Sequence, residues 1–229
     1  FGFKYSEKLG QKIAYRVSRD EVFDVKASAS LAIQEQEGAA VKSEISQSLS
    51  YDSRDDRFQP TEGMIGRFRT DIAGLGGSVK YLRTNIRATK YLPVTQNVIG
   101  SLRGSLGYIV GLGENVRIVD RFFLGGSNLR GFKSAGAGPR DQSTEDAVGG
   151  KFRYTGSAQL TFPLGLPNEL GFKGRIFTDI GSLIDAESTL ASIKDEKSLR
   201  ASVGFGLAWK SPFGPIVFDF SKAFLKKDF

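Results

Sequence analysis

The sequence of 229 residues contains no cysteine and no histidine. Their absence excludes disulfide bonds, zinc sites built from thiolates or imidazoles, and catalytic triads that use histidine as the base. The sequence also has no apolar stretch near the roughly 18 residues that a membrane-spanning helix needs. Helical membrane spans are therefore excluded, and the pattern of the remaining residues has to indicate the fold.

What is present along nearly the whole chain is an alternation of apolar and polar residues with a period of two, which is typical of β-strands. Between Lys151 and Phe162, apolar or small residues occupy the even positions and polar residues occupy the odd ones. Comparable segments are residues 41–51, 64–72, 82–92, 98–110, 172–180 and 199–210. At about 9 to 14 residues, each has the length that a tilted strand needs to cross a membrane. We predict about ten strands.

The connections between these segments differ in length in a regular way. Short turns carry proline or glycine, whereas three longer polar loops occupy residues 24–39, 111–150 and 184–197, and a tight turn is predicted at Gly74–Gly77. Short turns on one rim and long loops on the other are typical of an antiparallel transmembrane β-barrel. A soluble β-sandwich or barrel is the alternative. Its strands would be shorter, about five or six residues, and would not need apolar outer faces ending in aromatic residues.

The net charge is +7, and basic side chains recur on the polar face of many strands. The inward set comprises Arg67, Arg69, Arg83, Arg87, Arg103, Arg153, Arg175 and Arg200. Because these arginines alternate with apolar residues on separate strands, they indicate a basic interior and not a surface stripe for nucleic acid. Asp71, Asp179 and Asp219 face the same way and could form an acid–base set. Among so many arginines we expect them to balance charge, and we expect no enzyme activity, metal site or cofactor.

The longest loop contains the most specific motif of the sequence. Residues 120–132 read Asp-Arg-Phe-Phe-Leu-Gly-Gly-Ser-Asn-Leu-Arg-Gly-Phe, and Phe177, Asp179 and Gly181 form a Phe-x-Asp-x-Gly pattern downstream. Together these motifs resemble the hallmark loop and its wall strand in the BamA superfamily of outer-membrane barrels. In that family the loop folds back into the lumen and its arginine meets inward-facing groups on the wall.

The resemblance implies that Leu129, Arg130, Gly131 and Phe132 form the lumen-loop motif, with Asp179 as the main partner of the arginine. A confined guanidinium is costly unless it is paired, and a bidentate carboxylate is its best partner. The sequence departs from the family at Gln159, where a glutamate often stands. Glutamine accepts a hydrogen bond but carries no charge, so we expect the site to depend more heavily on Asp179.

The resemblance covers almost the whole chain and implies its domain organisation. Residues 1–229 correspond to about ten strands of a sixteen-strand barrel, with the loop at about 111–150 folded into the lumen. The first strands, the closing strand and the periplasmic POTRA domains are expected to lie outside this sequence. A closing strand would begin near residues 226–229.

The function that the resemblance implies is the folding and insertion of β-barrel proteins into the outer membrane of a Gram-negative bacterium. Its implied partners are unfolded outer-membrane proteins, membrane lipid and, through the missing periplasmic domains, lipoproteins of the assembly complex; no nucleic acid is involved. Two alternatives remain open at this point. One is a two-partner secretion transporter of the same superfamily, and the other is a passive pore with a basic lumen.

Overall fold

The computed structural model describes residues 1–187, 190, 192–195 and 197–226, and most of them belong to β-strands. The strands are β1 (Gly2–Lys4), β2 (Leu9–Val22), β3 (Gly38–Asp52), β4 (Gly63–Gly77), β5 (Tyr81–Pro93), β6 (Ile99–Gly111), β7 (Arg140–Asp141), β8 (Phe152–Pro163), β9 (Phe172–Ile184), β10 (Ile193–Lys194), β11 (Arg200–Ser211) and β12 (Gly214–Leu225). Within these described residues the one α-helix, α1, is Leu31–Gln34, and 3-10 turns occupy Ile118–Asp120, Gly126–Asn128 and Asn168–Leu170. No helix in the described part of the chain is long and apolar enough to cross a membrane.

Ten of these strands form one antiparallel sheet in the order β1-β2-β3-β4-β5-β6-β8-β9-β11-β12. The predictions of about ten strands and of an all-β antiparallel fold are confirmed. Strands β7 and β10 pair with each other outside this sheet. The predicted start of a closing strand falls largely on residues 227–229, and four positions of the 184–197 loop are 188, 189, 191 and 196. These seven positions lie outside the described residues.

The turn predicted at Gly74–Gly77 is wrong, because these residues continue strand β4 and the turn follows at residues 78–80. Opposite them, the β3–β4 register shifts between Lys42 and Glu44. Gly74, Gly76 and Gly77 have positive φ angles, which place them in this irregular stretch of pairing. A Cβ on Gly77 would lie 2.3 Å from the Val41 carbonyl oxygen. The glycines therefore permit a bulged, closely approached strand pair and not a reversal of the chain.

The two faces of the sheet differ in chemistry, as the alternation predicts. We call the side on which residues 112–151 pack the inner face, and the other side the outer face. On the outer face Ile176, Ile180, Val203 and Phe205 are 42–63% exposed. On the inner face of the same strands, Asp179 and Ser202 are buried. An exposed apolar outer face and a polar inner face on the same strands are the arrangement of a membrane barrel wall.

The apolar core lies between the inner face and the segment that packs on it. Leu124 and Leu129 of this segment are fully buried, and they cluster with Tyr81, Ile109 and Leu183 of the sheet. Among the described residues, the only other sheet is the two-stranded β7–β10 pair. The core is therefore made by a loop against a sheet, and not by two sheets packed face to face as in a sandwich.

Candidate functional site

The segment from residue 112 to residue 151, called the inserted loop from here on, connects β6 to β8 although these two strands are direct neighbours. It has its own hydrogen-bonded framework, in which Phe122 pairs with Gly150 and Leu124 pairs with Ala137. At Gly125 a Cβ would meet the Lys133 carbonyl oxygen at 2.0 Å. Two segments of the loop approach each other closely at this glycine, which makes the loop compact enough to lie against the inner face.

Arg130, near the tip of the inserted loop, is bound by Asp179 of β9. Its Nε donates to Asp179 Oδ2 and its Nη2 donates to Asp179 Oδ1, both at 2.7 Å. The Arg130 backbone N–H also donates to Asp179 Oδ2, at 3.2 Å. Asp179 is only 4% exposed. The structure thus brings together the two residues that the sequence paired, as a bidentate ion pair, which is the strongest arrangement of these two groups.

Three further side chains complete the surroundings of the guanidinium. Arg130 Nη2 donates to Ser157 Oγ at 3.0 Å, and Nη1 donates to Asp219 Oδ2 at 3.1 Å and to Gln159 Oε1 at 3.4 Å. Each of the five guanidinium N–H groups therefore faces an acceptor. The guanidinium carbon also lies 3.3 Å from the centre of the Phe177 ring, a cation–π contact. This complete set of partners stabilises one position of the loop tip.

The other predicted motif residues surround this contact. Leu129 is fully buried and Phe132 packs against the same core cluster. Gly131, at φ +88°, lies against the wall, since a Cβ there would be 2.9 Å from Ser202 Cβ. A Cβ on Gly181 would be 3.5 Å from Leu124 Cδ1 and 3.0 Å from the Tyr154 carbonyl oxygen. Both glycines therefore allow close contact between loop and wall.

Two glycines of β11 that the sequence did not single out make room for the same site. A Cβ on Gly204 would lie 2.4 Å from the Phe177 ring. A Cβ on Gly206 would lie 2.2 Å from Asp219 Oδ1. Both positions occur on the polar side of the alternating pattern, where a missing side chain is the signal that could have identified them.

Asp219 of β12 is the site residue that sequence reasoning placed on the correct face but did not connect to Arg130. Asp219 Oδ2 also accepts from Arg175 Nη2 at 3.2 Å, and Gln159 Oε1 accepts from the same Arg175 nitrogen at 2.8 Å. Two arginines therefore share two carboxylates and one amide. The second negative charge comes from Asp219, so the departure at Gln159 does not leave Asp179 as the only carboxylate.

A double-mutant cycle tests this division of charge in the full-length protein. Asp219→Asn is expected to lower the temperature at which the barrel unfolds, because Arg130 and Arg175 then share one carboxylate. Adding Gln159→Glu should restore most of the loss, since this side chain already accepts from both arginines, with an interaction free energy of about 1–2 kcal/mol. The unfolding temperatures of the parent, the two single variants and the double variant, measured by heat-modifiable gel mobility, give this interaction free energy. Strictly additive effects would show that positions 159 and 219 do not substitute for one another.

A second set of ion pairs lies on the inner face, on strands β3 to β5. Asp71 accepts from Arg69 Nε at 2.6 Å and from Arg83 Nε at 3.1 Å. Glu44 lies 3.4 Å from Arg83 and accepts from the Tyr81 hydroxyl at 2.5 Å. Glu44 and Asp71 are both buried. This set, like the Arg130 site, balances two arginines with two carboxylates, which supports charge balance as the role of the inward acids.

Asp141 of β7 joins three loops at the end of the sheet where the long loops lie. Its carboxylate accepts from the Ser143 hydroxyl at 2.6 Å, from Ser30 Oγ at 2.8 Å and from Ser192 Oγ at 3.1 Å. Ser30 belongs to the β2–β3 loop and Ser192 to the β9–β11 loop. The Ser143 hydroxyl and backbone N–H, followed by Ser30, lower the pKa of Asp141 from its ordinary 3.8 to about 2. The ionised carboxylate is therefore the form that holds the three loops together.

Because the folded-state pKa of Asp141 is lowered, its contribution to stability is complete above pH about 4 and is lost as the pH falls towards 2. Asp141→Ala should remove it at every pH. We expect amide exchange around Ser30 and Ser192 to become about tenfold faster at neutral pH, as the loss of hydrogen bonds to a charged group predicts. Glu145→Ala removes an exposed carboxylate of the same loop and is the control. Equal exchange in the two variants would contradict this role.

Comparison with known proteins places this architecture. The model of the Omp85 superfamily domain matches residues 1–229. The chain belongs to the Omp85 superfamily. The structure is similar to the crystal structure of BamA from Haemophilus ducreyi lacking POTRA domains 1-3, with a TM-score of 0.82 and 20% identity over 99% of this chain and 50% of that one. This match shows the fold, a barrel whose interior, or lumen, corresponds to the inner face.

The sequence of this Omp85 domain is similar to relatives from bacteria and from an animal. It is 37% identical over 226 residues to the outer membrane protein assembly factor BamA of Neorickettsia risticii, covering 98% of this chain and 30% of that protein. Identity is 28% to BamA of Nitratidesulfovibrio vulgaris, over 90% of this chain and 26% of that protein. Identity is 32% to the sorting and assembly machinery component 50 homolog of Bos taurus, over 78% of this chain and 40% of that protein. The chain thus spans less than half the length of these relatives.

Proposed function

We propose that this chain forms most of the barrel wall of an outer-membrane protein assembly factor, which folds and inserts β-barrel proteins into the outer membrane of a Gram-negative bacterium. The observation that carries the proposal is the similarity to the N. risticii assembly factor over 98% of the chain. The ordered contact of Arg130 with Asp179 adds support, because it builds a defined loop position into the wall. The proposed substrates are unfolded outer-membrane proteins.

The proposed activity is not covalent chemistry. Every inward carboxylate named from the sequence is engaged by arginine: Asp71 by Arg69 and Arg83, Asp179 by Arg130, and Asp219 by Arg130 and Arg175. These carboxylates already accept hydrogen bonds from guanidinium groups, so they are engaged by the protein and not open to a substrate. Their role in the proposed mechanism is to set the position of the inserted loop and the shape of the wall.

Membrane lipid is the proposed partner of the outer face, which exposes Phe205, Phe218 and Phe220 along β11 and β12. Lipoproteins of an assembly complex are proposed to attach through periplasmic domains that belong to the full-length protein and not to this segment. Free diffusion of solutes through the barrel is disfavoured, because the inserted loop occupies the inner face and buries Leu124 and Leu129 there.

The test is depletion of the full-length protein in its host cell, followed by measurement of several unrelated outer-membrane porins by heat-modifiable gel mobility. A joint fall of folded porins is expected, because an assembly factor serves many barrel substrates. Re-expression of the full-length protein should restore all of them. Normal porins with loss of a single secreted polypeptide would instead identify a dedicated secretion transporter, and the proposed function would then be abandoned while the fold stands.

A further inference from the structure

The inner face carries more arginine than its own acids balance. Arg69 and Arg83 form ion pairs with Glu44 and Asp71. Arg130 and Arg175 form ion pairs with Asp179 and Asp219. Among the described residues, the inner-face arginines that take part in no ion pair include Arg67, Arg87, Arg103 and Arg153. Uncompensated like charges on neighbouring strands destabilise a sheet unless an anion joins them.

The strand register places Arg87, Arg103 and Arg153 around Ser105 of β6. Arg87 is directly opposite Ser105 on β5, and Arg67 is directly opposite Arg87 on the next strand. Arg103 is two residues before Ser105 on the same strand, and Arg153 of β8 is opposite Gly107, two residues after it. Side chains at opposite, diagonal and i±2 positions of one face lie within about 8 Å of each other. Three guanidinium groups therefore reach one region.

A cavity of about 420 Å³ occupies this region, between the wall and the inserted loop. The three arginines line it with Ser105 and Thr155 of the wall and with Asn128 of the loop. Arg130 and Asp179 border it as well, but the two Asp179 oxygens already accept from Arg130. The carboxylate is therefore compensated and does not oppose an anion in the cavity.

Two polar atoms at the cavity are buried without a partner. Ser105 Oγ and Arg153 Nε make no hydrogen bond, although Arg153 is only 8% exposed. The Arg153 guanidinium has one acceptor, the Phe123 carbonyl oxygen at 3.3 Å, and it lies 5.0 Å from the Phe122 ring. A buried donor without an acceptor is costly, and the described residues supply no acceptor to these two atoms.

We propose that this cavity is a binding site for a phosphate group, held by Arg87, Arg103 and Arg153 with Ser105 as a neutral donor. One carboxylate is satisfied by a single guanidinium fork, whereas a tetrahedral dianion takes hydrogen bonds from several arginines at once. The bound group would also touch the inserted loop at Asn128, so its binding stabilises the loop against the wall. The phosphate is either free inorganic phosphate or the headgroup of a lipid.

The experiment uses the full-length protein in a nonionic detergent. Inorganic phosphate and short-chain phosphatidic acid are titrated separately by calorimetry, with chloride at equal ionic strength as the reference. Arg87→Gln and Arg103→Gln should each weaken binding about tenfold, as the loss of a charge-assisted hydrogen bond predicts. Lys90→Gln removes the same charge from the opposite face of β5 and should leave binding unchanged.

A stability measurement separates a binding site from a purely structural role. Without phosphate, Arg87→Gln should unfold at a slightly higher temperature than the parent, because the repulsion between Arg67 and Arg87 is removed. With phosphate the order should reverse, because the parent binds phosphate more tightly and is therefore stabilised more than the variant. Binding of phosphatidic acid alone would assign the site to a lipid headgroup. Equal effects of phosphate and chloride with no phosphatidic acid binding, or equal loss of binding in Lys90→Gln, would overturn the proposal.

Discussion

Replacing Arg130 with alanine in the full-length protein is expected to lower the free energy of unfolding by about 3–5 kcal/mol, because it leaves the buried carboxylate of Asp179 without its cation. Asp179 is 4% exposed and loses its bidentate partner, while Asp219 keeps only Arg175. The strands themselves should still form, since none of their pairing involves Arg130. The temperature at which the heat-modifiable band disappears measures the loss, and porin assembly should fall in parallel.

Two other variants make this result specific. Arg130→Lys keeps the charge but replaces the planar fork by a single ammonium group, so it should recover only part of the lost stability. Lys133→Ala removes a cation from an exposed position of the same loop and should behave like the parent. If Arg130→Ala and Lys133→Ala retained the same heat resistance and the same porin assembly, the loop would not be held by this ion pair.

Gly131→Ala is expected to be nearly as damaging, for a reason that involves no charge. Its φ of +88° disfavours any side chain, and the new Cβ would lie 2.9 Å from Ser202 Cβ and 3.1 Å from the Ala223 backbone nitrogen. The backbone term alone costs about 1–2 kcal/mol, and the collision with the wall adds about 1–3 kcal/mol. Because Gly131 follows Arg130 directly, the loop tip should move away from the wall and weaken the ion pair as well.

Gly113 offers a matched control for the backbone term. It lies in the same loop at φ +86°, and a Cβ there would meet nothing within 4 Å. Gly113→Ala should therefore show the cost of the backbone conformation alone. The difference between the two alanine variants, measured as unfolding temperature and as protease sensitivity of the inserted loop, reports the contact with β11 and β12. No difference would mean that Gly131 is needed only for its backbone angle.

The sequence predicted strands better than it predicted their irregularities. The period of two placed the outer residues Ile176 and Phe205 and the inner residue Asp179 on the correct faces, because a strand alternates whatever its neighbours are. The same pattern could not show that Gly74 to Gly77 form a bulge. Glycine permits both a turn and a bulge, and the β3–β4 register decides between them.

The candidate site was also predicted only in part. Resemblance to the family paired Arg130 with Asp179, and the structure brings these residues together. Asp219 was known to face inward, but its height on the wall depends on the stagger of β12 against β11, where it pairs with Gly206. The two-residue turn between Ser211 and Gly214 sets that stagger, but the contact with Arg130 could not be predicted, because the path of the inserted loop decides where Arg130 lies. The sequence showed that Gln159 stands where the family often has a glutamate. It did not show that Asp219 supplies the second negative charge.

By itself the sequence determined the strand periodicity, the chemistry of the two faces, the excess of arginine on one of them and the motif that marks the loop. These properties follow from residues close together in the chain, where the alternation of a strand translates directly into a face. Only the tertiary structure decided which inward groups meet, because strand register and the path of the inserted loop set contacts between residues 49 to 89 positions apart. Those contacts determine which arginines find a carboxylate and which are left facing a cavity.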